Sequence, residues 1–148
     1  GIIIKQHLSA LGLSIFLAFV ALVGGAAVQP AAAGDKDPLF VNLVTDDAHG
    51  ATMALHFAKS MQEQGHPVTV FFNNRGVLVA SKAHAATYPE QQKDVASLSS
   101  SGAVLIACPH CMEYYGIKDA GLVGGVVVGT PAMISKQLFL DGTKTLTW

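Results

Sequence analysis

The chain holds two cysteines, Cys108 and Cys111, in the stretch "VLIACPHCMEYYGI". Thiols at that spacing fall within one helical turn. The pair therefore suits disulfide exchange, a persulfide with a neighbouring thiol, or a soft metal clamp. It also suits plain packing, because free cysteine is among the most buried residue types. Cys108 closes an apolar run, and Pro109 is suited to the first turn of a helix. A sulfur at that junction lies near the unpaired amides and positive pole of the helix, which favours the thiolate and makes Cys108 the nucleophile. Cys111 then reaches back to resolve a disulfide or take up a persulfide.

Other polar side chains sit where apolar runs end. "TDDAHG", Thr45 to Gly50, follows the first run. Asp46 or Asp47 caps the next helix, and His49 is a candidate acid or base beside the thiol. Asn73, Asn74 and Arg75 close the second run. Arg75 either favours an anionic sulfur or is a solvated turn residue. His110, between the cysteines, either tunes the thiolate or is an exposed loop residue. Cys108, His110, Cys111 and Met112 are also soft ligands of the kind copper(I) takes, and Cys108 and Cys111 are the metal candidates of that alternative. Adjacent residues do not all converge on one ion, so a closed copper site needs His49 or a neighbouring subunit. Zinc is disfavoured, since no second Cys/His pair stands at structural spacing. Met53, His56 and Met61 read as helix packing and surface, and Tyr114 and Tyr115 as cover for a sheet edge or a subunit contact.

The elements that must position these groups alternate. "LFVNLVT", "PVTVFFN", "AVLIAC", "GVVVG" and "KTLTW" read as strands, and "DDAHGATMALHFAKSMQEQGH", Glu90 to Leu98, "CMEYYGI" and "PAMISKQLFL" as helices, with Gly65 ending the first and Pro131 opening the last. Strands apolar on both faces alternating with helices predict an α/β domain over 39–148: a small, mainly parallel five-stranded sheet covered on two sides. In such a sheet, reactive groups gather at the carboxyl ends of the strands, where Cys108 falls.

Residues 1–33 are of another kind. Leu8 to Val28 carries no charge, is preceded by Lys5 and His7, and leads to Ala31-Ala32-Ala33. This is a secretory signal or a transmembrane anchor, one N-terminal hydrophobic helix. Its length, about 30 Å as a helix, exceeds a usual signal core and favours an anchor through residues 8–28. The basic flank then stays inside, and the domain faces the periplasmic side of a bacterial inner membrane, or the periplasm itself if the segment is cleaved. Residues 34–38 form a linker to the domain. Nine Lys and Arg against ten Asp and Glu give no basic field, so a nucleic-acid partner is excluded.

Cys-Pro-His-Cys is also the active-site tetrapeptide of oxidising thioredoxin-fold proteins, and "VGTPA", Val128 to Ala132, mimics their Thr-Pro. The order of elements argues against that fold. About three strands precede the pair here, and Pro131 opens a helix where that fold needs a strand.

What the order does resemble, over Leu39 to Trp148, is the DsrE/DsrF-like family of sulfur-relay proteins. The likeness is carried by "NLVTDDAHGATMALHFAKSMQEQGHPVTVFFNNRGV", a strand ending in Cys108, Gly116, and "LVGGVVVG" before a terminal strand. The resemblance implies a DsrE-like five-stranded α/β domain that assembles into trimers or hexamers, with a persulfide carried at the position of Cys108. Cys111 has no counterpart in single-cysteine carriers, and the well-known relay members are cytoplasmic. The expectation is an exported, membrane-anchored sulfur carrier or thiol-exchange protein with Cys111 as resolving thiol and His49, His110 and Arg75 as tuners. The alternative is a non-enzymatic accessory or copper-binding subunit of a larger membrane protein complex.

Overall fold

The computed structural model describes residues 34–148, so the signal or anchor expected over 1–33 lies outside the described residues. In chain order the elements are β1 (Leu39–Leu43), α1 (Ala48–Glu63), β2 (Val68–Phe72), α2 (Gly76–Val79), α3 (Pro89–Ser100), β3 (Val104–Ala107), α4 (Pro109–Tyr114), β4 (Val126–Val128), α5 (Pro131–Leu138) and β5 (Lys144–Thr147). The strands form one five-stranded sheet in the order β4-β3-β2-β1-β5, and every pairing is parallel. Among the described residues, no helix is long and apolar enough to cross a membrane.

The strand order explains how the layers form. From β1 to β4 each crossover steps the same way along the sheet, so right-handed connections lay their helices on one face. Side chains alternate along a strand. Leu39, Val41, Leu43, Val68, Val70, Phe72, Leu105 and Ala107 therefore point together into a single cluster with Ala51, Ala54, Leu55 and Ala58 of α1 and Val95 and Leu98 of α3. Three alanines on the buried stripe of α1 let the helix lie close to the sheet.

Only the return from β4 to β5 runs the other way, and it brings α5 alone to the second face. Phe40, Thr69 and Ile106 are buried there, and the Thr69 hydroxyl pairs with Gln137 Oε1 of α5 at 3.2 Å. Val104 and Val127 remain exposed, as does all of β5. The cover expected on both faces is thus full on one and partial on the other, because one crossover serves the second.

Three local details matter. Val77 to Ser81 begins within the short α2, after which Ser81 makes an isolated antiparallel bridge to Leu122. Residues 34–38 are tied to the domain by hydrogen bonds. The Asp37 carboxylate accepts from Gly34 N at 2.9 Å and pairs with Lys144 at 3.2 Å, while Asp37 O lies 2.8 Å from His66 Nδ1. Finally, Gly76 is required by a close approach, since a Cβ there would collide with Leu43 O. Gly76→Ala must push the loop after β2 away from β1. We expect a loss of about 1–3 kcal/mol, read as a lower urea midpoint.

Candidate functional site

Because the sheet is parallel, the segments 44–47, 73–75 and 108 leave it at one edge. Ladder hydrogen bonds carry the chain straight to it. Asn73 N donates to Leu43 O and Cys108 N to Phe72 O, both at 2.9 Å. Cys108 then turns into α4 as its N-cap, with extended backbone (φ −69°, ψ 116°) and Pro109 in the first turn.

The two sulfurs meet. Cys108 Sγ accepts a long hydrogen bond from Cys111 N at 3.4 Å, and the Sγ atoms stand 2.8 Å apart. The Cys111 thiol can donate to Cys108 Sγ or to Asn73 Oδ1, 3.2 Å away, and Asn74 N donates to its sulfur at 3.1 Å. Burial, followed by the bond to Cys108, pushes the Cys111 thiol up to about 11. It is therefore a thiol at neutral pH. Both cysteines are half-buried and unbridged.

Asn73 anchors a polar row along the strand ends. Its Nδ2 donates to Asn42 Oδ1 at 3.3 Å, and Asn42 Nδ2 donates to Thr147 Oγ1 at 3.4 Å. Its Oδ1 also accepts from Asn74 N at 2.8 Å. Asn74 holds a left-handed backbone (φ 48°), a conformation asparagine tolerates better than most residues.

The neighbouring aspartates divide their work. Asp47 caps α1, accepting from Gly50 N at 2.7 Å. Asp46 takes Arg75 in a two-point pair, with Nε at 2.6 Å, and accepts from the Tyr88 hydroxyl at 3.3 Å. The Arg75 guanidinium holds the Asp46 carboxyl below its usual value, while Asp46 raises Arg75 and keeps it charged. Burial, then the Asp46 charge, raises Tyr88. A carboxyl lowered on folding stabilises the fold above its ordinary value of 3.8, and that contribution is lost as pH falls through its folded value. Asp46→Asn removes that dependence, so we expect the gap between wild type and variant in urea stability to close below pH 3.8.

A cleft of about 330 Å³ opens over Cys111, lined also by Asn74, His110, Tyr114 and Tyr115. Tyr114 is 82% exposed and meets Tyr115 edge to face at 4.9 Å. A more apolar hollow of about 260 Å³, lined by Leu39, Phe57, Met61 and Leu146, lies at the opposite, amino edge of the sheet, away from the cysteines.

Among the candidates, the structure brings together Cys108, Cys111 and, on the cleft wall, His110. Arg75 reaches the same edge but is committed to Asp46. His49 is exposed on the first turn of α1 and has no hydrogen bond to either cysteine among the described residues. No group of three His, Cys, Asp or Glu side chains is placed to hold a metal among the described residues. Asn73 and the Tyr88–Asp46 contact carry geometry that the sequence reading gave no role. The one signal for Asn73 was its place at a strand's carboxyl end.

Three solved structures share the fold. The ychN protein from E. coli superposes with a TM-score of 0.63 at 19% identity, covering 76% of this chain and 99% of that one. MTH1491 from Methanobacterium thermoautotrophicum, a protein of unknown function, gives 0.64 at 16% identity, covering 76% and 100%. BT1422 from Bacteroides thetaiotaomicron, a conserved protein of unknown function, gives 0.57 at 19%, covering 81% and 100%. No curated protein matches the chain. The family model described as "DsrE/DsrF-like family" matches residues 39–147, the whole sheet with its cysteine edge, and with that match the chain belongs to the DsrE/DsrF-like family, which is linked to sulfur relay.

Proposed function

We propose that this is an exported, membrane-anchored DsrE-like protein that carries or exchanges sulfur through Cys108, with Cys111 as the resolving thiol. The observation that carries the reading is the paired geometry. A sulfur anion on Cys108 faces a backbone amide and the Cys111 thiol at once, beside an open cleft. Charge-assisted hydrogen bonds of this kind stabilise an anion where it must act.

The chemistry closes without a cofactor. The Cys108 thiolate attacks a sulfur of a polysulfide, the neighbouring S–S bond breaks, and the shortened polysulfide leaves with the electron pair. An acceptor thiolate then attacks the outer sulfur of the Cys108 persulfide, and Cys108 departs as thiolate. His110 and Arg75 stand at the edge where they can influence the incoming anion. His49 stands on the neighbouring helix.

Export rests on residues 1–33, through the apolar run and the Ala31-Ala32-Ala33 site. Assembly with further copies, as a trimer or hexamer, or within a membrane complex, is supported by the exposed β5 edge and by Val104, Val127 and Phe139. The test is the intact mass of the full chain after anaerobic polysulfide treatment. One added sulfur on Cys108, removed by dithiothreitol, supports the reading. No added sulfur, or sulfur added elsewhere, overturns it.

A further inference from the structure

A carrier whose resolving thiol stands beside its persulfide has a built-in leak when that thiol acts too early. If the Cys111 thiolate attacks Cys108 Sγ, the bond to the outer sulfur breaks, hydrosulfide leaves with the electron pair, and an internal disulfide remains. The cargo is then lost before any acceptor arrives. The sulfurs stand 2.8 Å apart, so distance does not protect the persulfide. Protection has to come from the proton on Cys111.

We infer that Asn73 is a positioning residue that keeps Cys111 protonated and turned away from the persulfide, so that Cys108 holds its sulfur until an acceptor thiol takes it. The inference rests on the relay reading for its purpose, but its geometry is independent of it. Cys111 carries one proton and two acceptors lie within reach, Cys108 Sγ and Asn73 Oδ1. When Cys108 is a bare anion, the Cys111 S–H donates to it and stabilises the thiolate form, the proton staying on Cys111. Once Cys108 is capped by a second sulfur, its Sγ is a poor acceptor, and Asn73 Oδ1 accepts the S–H instead. A carbonyl oxygen at 3.2 Å accepts from the thiol and repels the thiolate, so it holds Cys111 in its unreactive form.

The orientation of the Asn73 amide is fixed from behind. Its Nδ2 donates to Asn42, which donates on to Thr147, and its Oδ1 takes Asn74 N. A flipped amide would turn a donor toward Cys111 and lose those partners. Burial, then the bond to Cys108, raises Cys111, and the Asn73 contact is a separate geometric one. Asn74 N opposes the effect of Asn73, because an amide aimed at the sulfur favours the anion. The other titratable or charged groups at this edge are Cys108, His110, Tyr114 and Tyr115 around the cleft, the Arg75–Asp46 pair with Tyr88, and Asp47 and His49 at the start of α1. Neither Arg75 nor His110 is hydrogen-bonded to Cys111 among the described residues.

The experiment loads the full chain with polysulfide, removes the excess and follows hydrosulfide release and disulfide formation across pH. Wild type is expected to keep its sulfur at pH 7 and to discharge faster as rising pH ionises Cys111. Asn73→Ala should discharge about five- to ten-fold faster at pH 7, the size of one lost hydrogen bond. Asn73→Asp, which keeps the acceptor and adds a negative charge, should discharge more slowly than wild type. Unchanged discharge in both variants overturns the inference. In parallel, iodoacetamide labelling of Cys111 in a Cys108→Ser background needs no persulfide. Its pH midpoint should fall with Asn73→Ala and rise with Asn73→Asp, and equal midpoints overturn the inference. If the chain takes up no sulfur while these midpoints move as stated, the relay reading fails and the role of Asn73 stands.

Discussion

Cys108→Ser is expected to take up no sulfur from polysulfide, while Cys111→Ser takes up one and keeps it. The difference follows from the inequality of the two thiols. Cys108 lies between a backbone amide and a neighbouring thiol, both oriented to donate to its sulfur. Cys111 is the partner whose ionisation is pushed up, chiefly by burial and then by the bond to Cys108. A thiol held above its ordinary value stays protonated at pH 7, which makes it the weaker competing nucleophile. The substitution exchanges sulfur for oxygen at a half-buried N-cap, and serine is itself a favoured cap, so the fold should be retained. Intact mass checks uptake, and circular dichroism checks the fold. Sulfur retained on the Cys108→Ser chain would refute the assignment of the nucleophile.

Phe72→Ala should cost the most stability, about 3–5 kcal/mol, because it deletes the largest fully buried side chain of the domain. Phe72 ends β2 at the centre of the sheet, opposite Leu43 on one side and Ala107 on the other. The cavity left there has strand backbone on both flanks, so it collapses poorly. Since a domain is stable by only about 5–15 kcal/mol, the urea midpoint should drop sharply. A shift no greater than that of an exposed substitution, such as Val127→Ala, would show that the core is not organised around β2.

The strands were legible because burial on a parallel sheet writes itself as short apolar runs. Leu39 to Leu43 and Val68 to Phe72 could hardly be anything else. The stop of α1 was legible too: Gly65 takes φ 93°, as a helix terminus needs. The cysteine edge followed from the same logic, since a residue closing a parallel strand stands where loops gather. Contacts across that edge were not legible. Arg75 meets Asp46 from 29 residues away, and Cys111 meets Asn73 from 38, so their partners depend on strand order rather than on neighbours in sequence. For the same reason, nothing in "TDDAHG" told which aspartate would cap and which would pair. The half-open second face was hidden as well, because it depends on which way the last crossover returns.

The Asp37 knot ties the entry of the domain to the start of β5, and the starts of parallel strands all lie on the rim away from Cys108. With strands of five residues at about 3.3 Å each, some 17 Å of sheet separates the two rims. Gly34, where the described residues begin, therefore stands on the rim of the domain away from the thiols, and nothing fastened to that rim touches the sulfur edge.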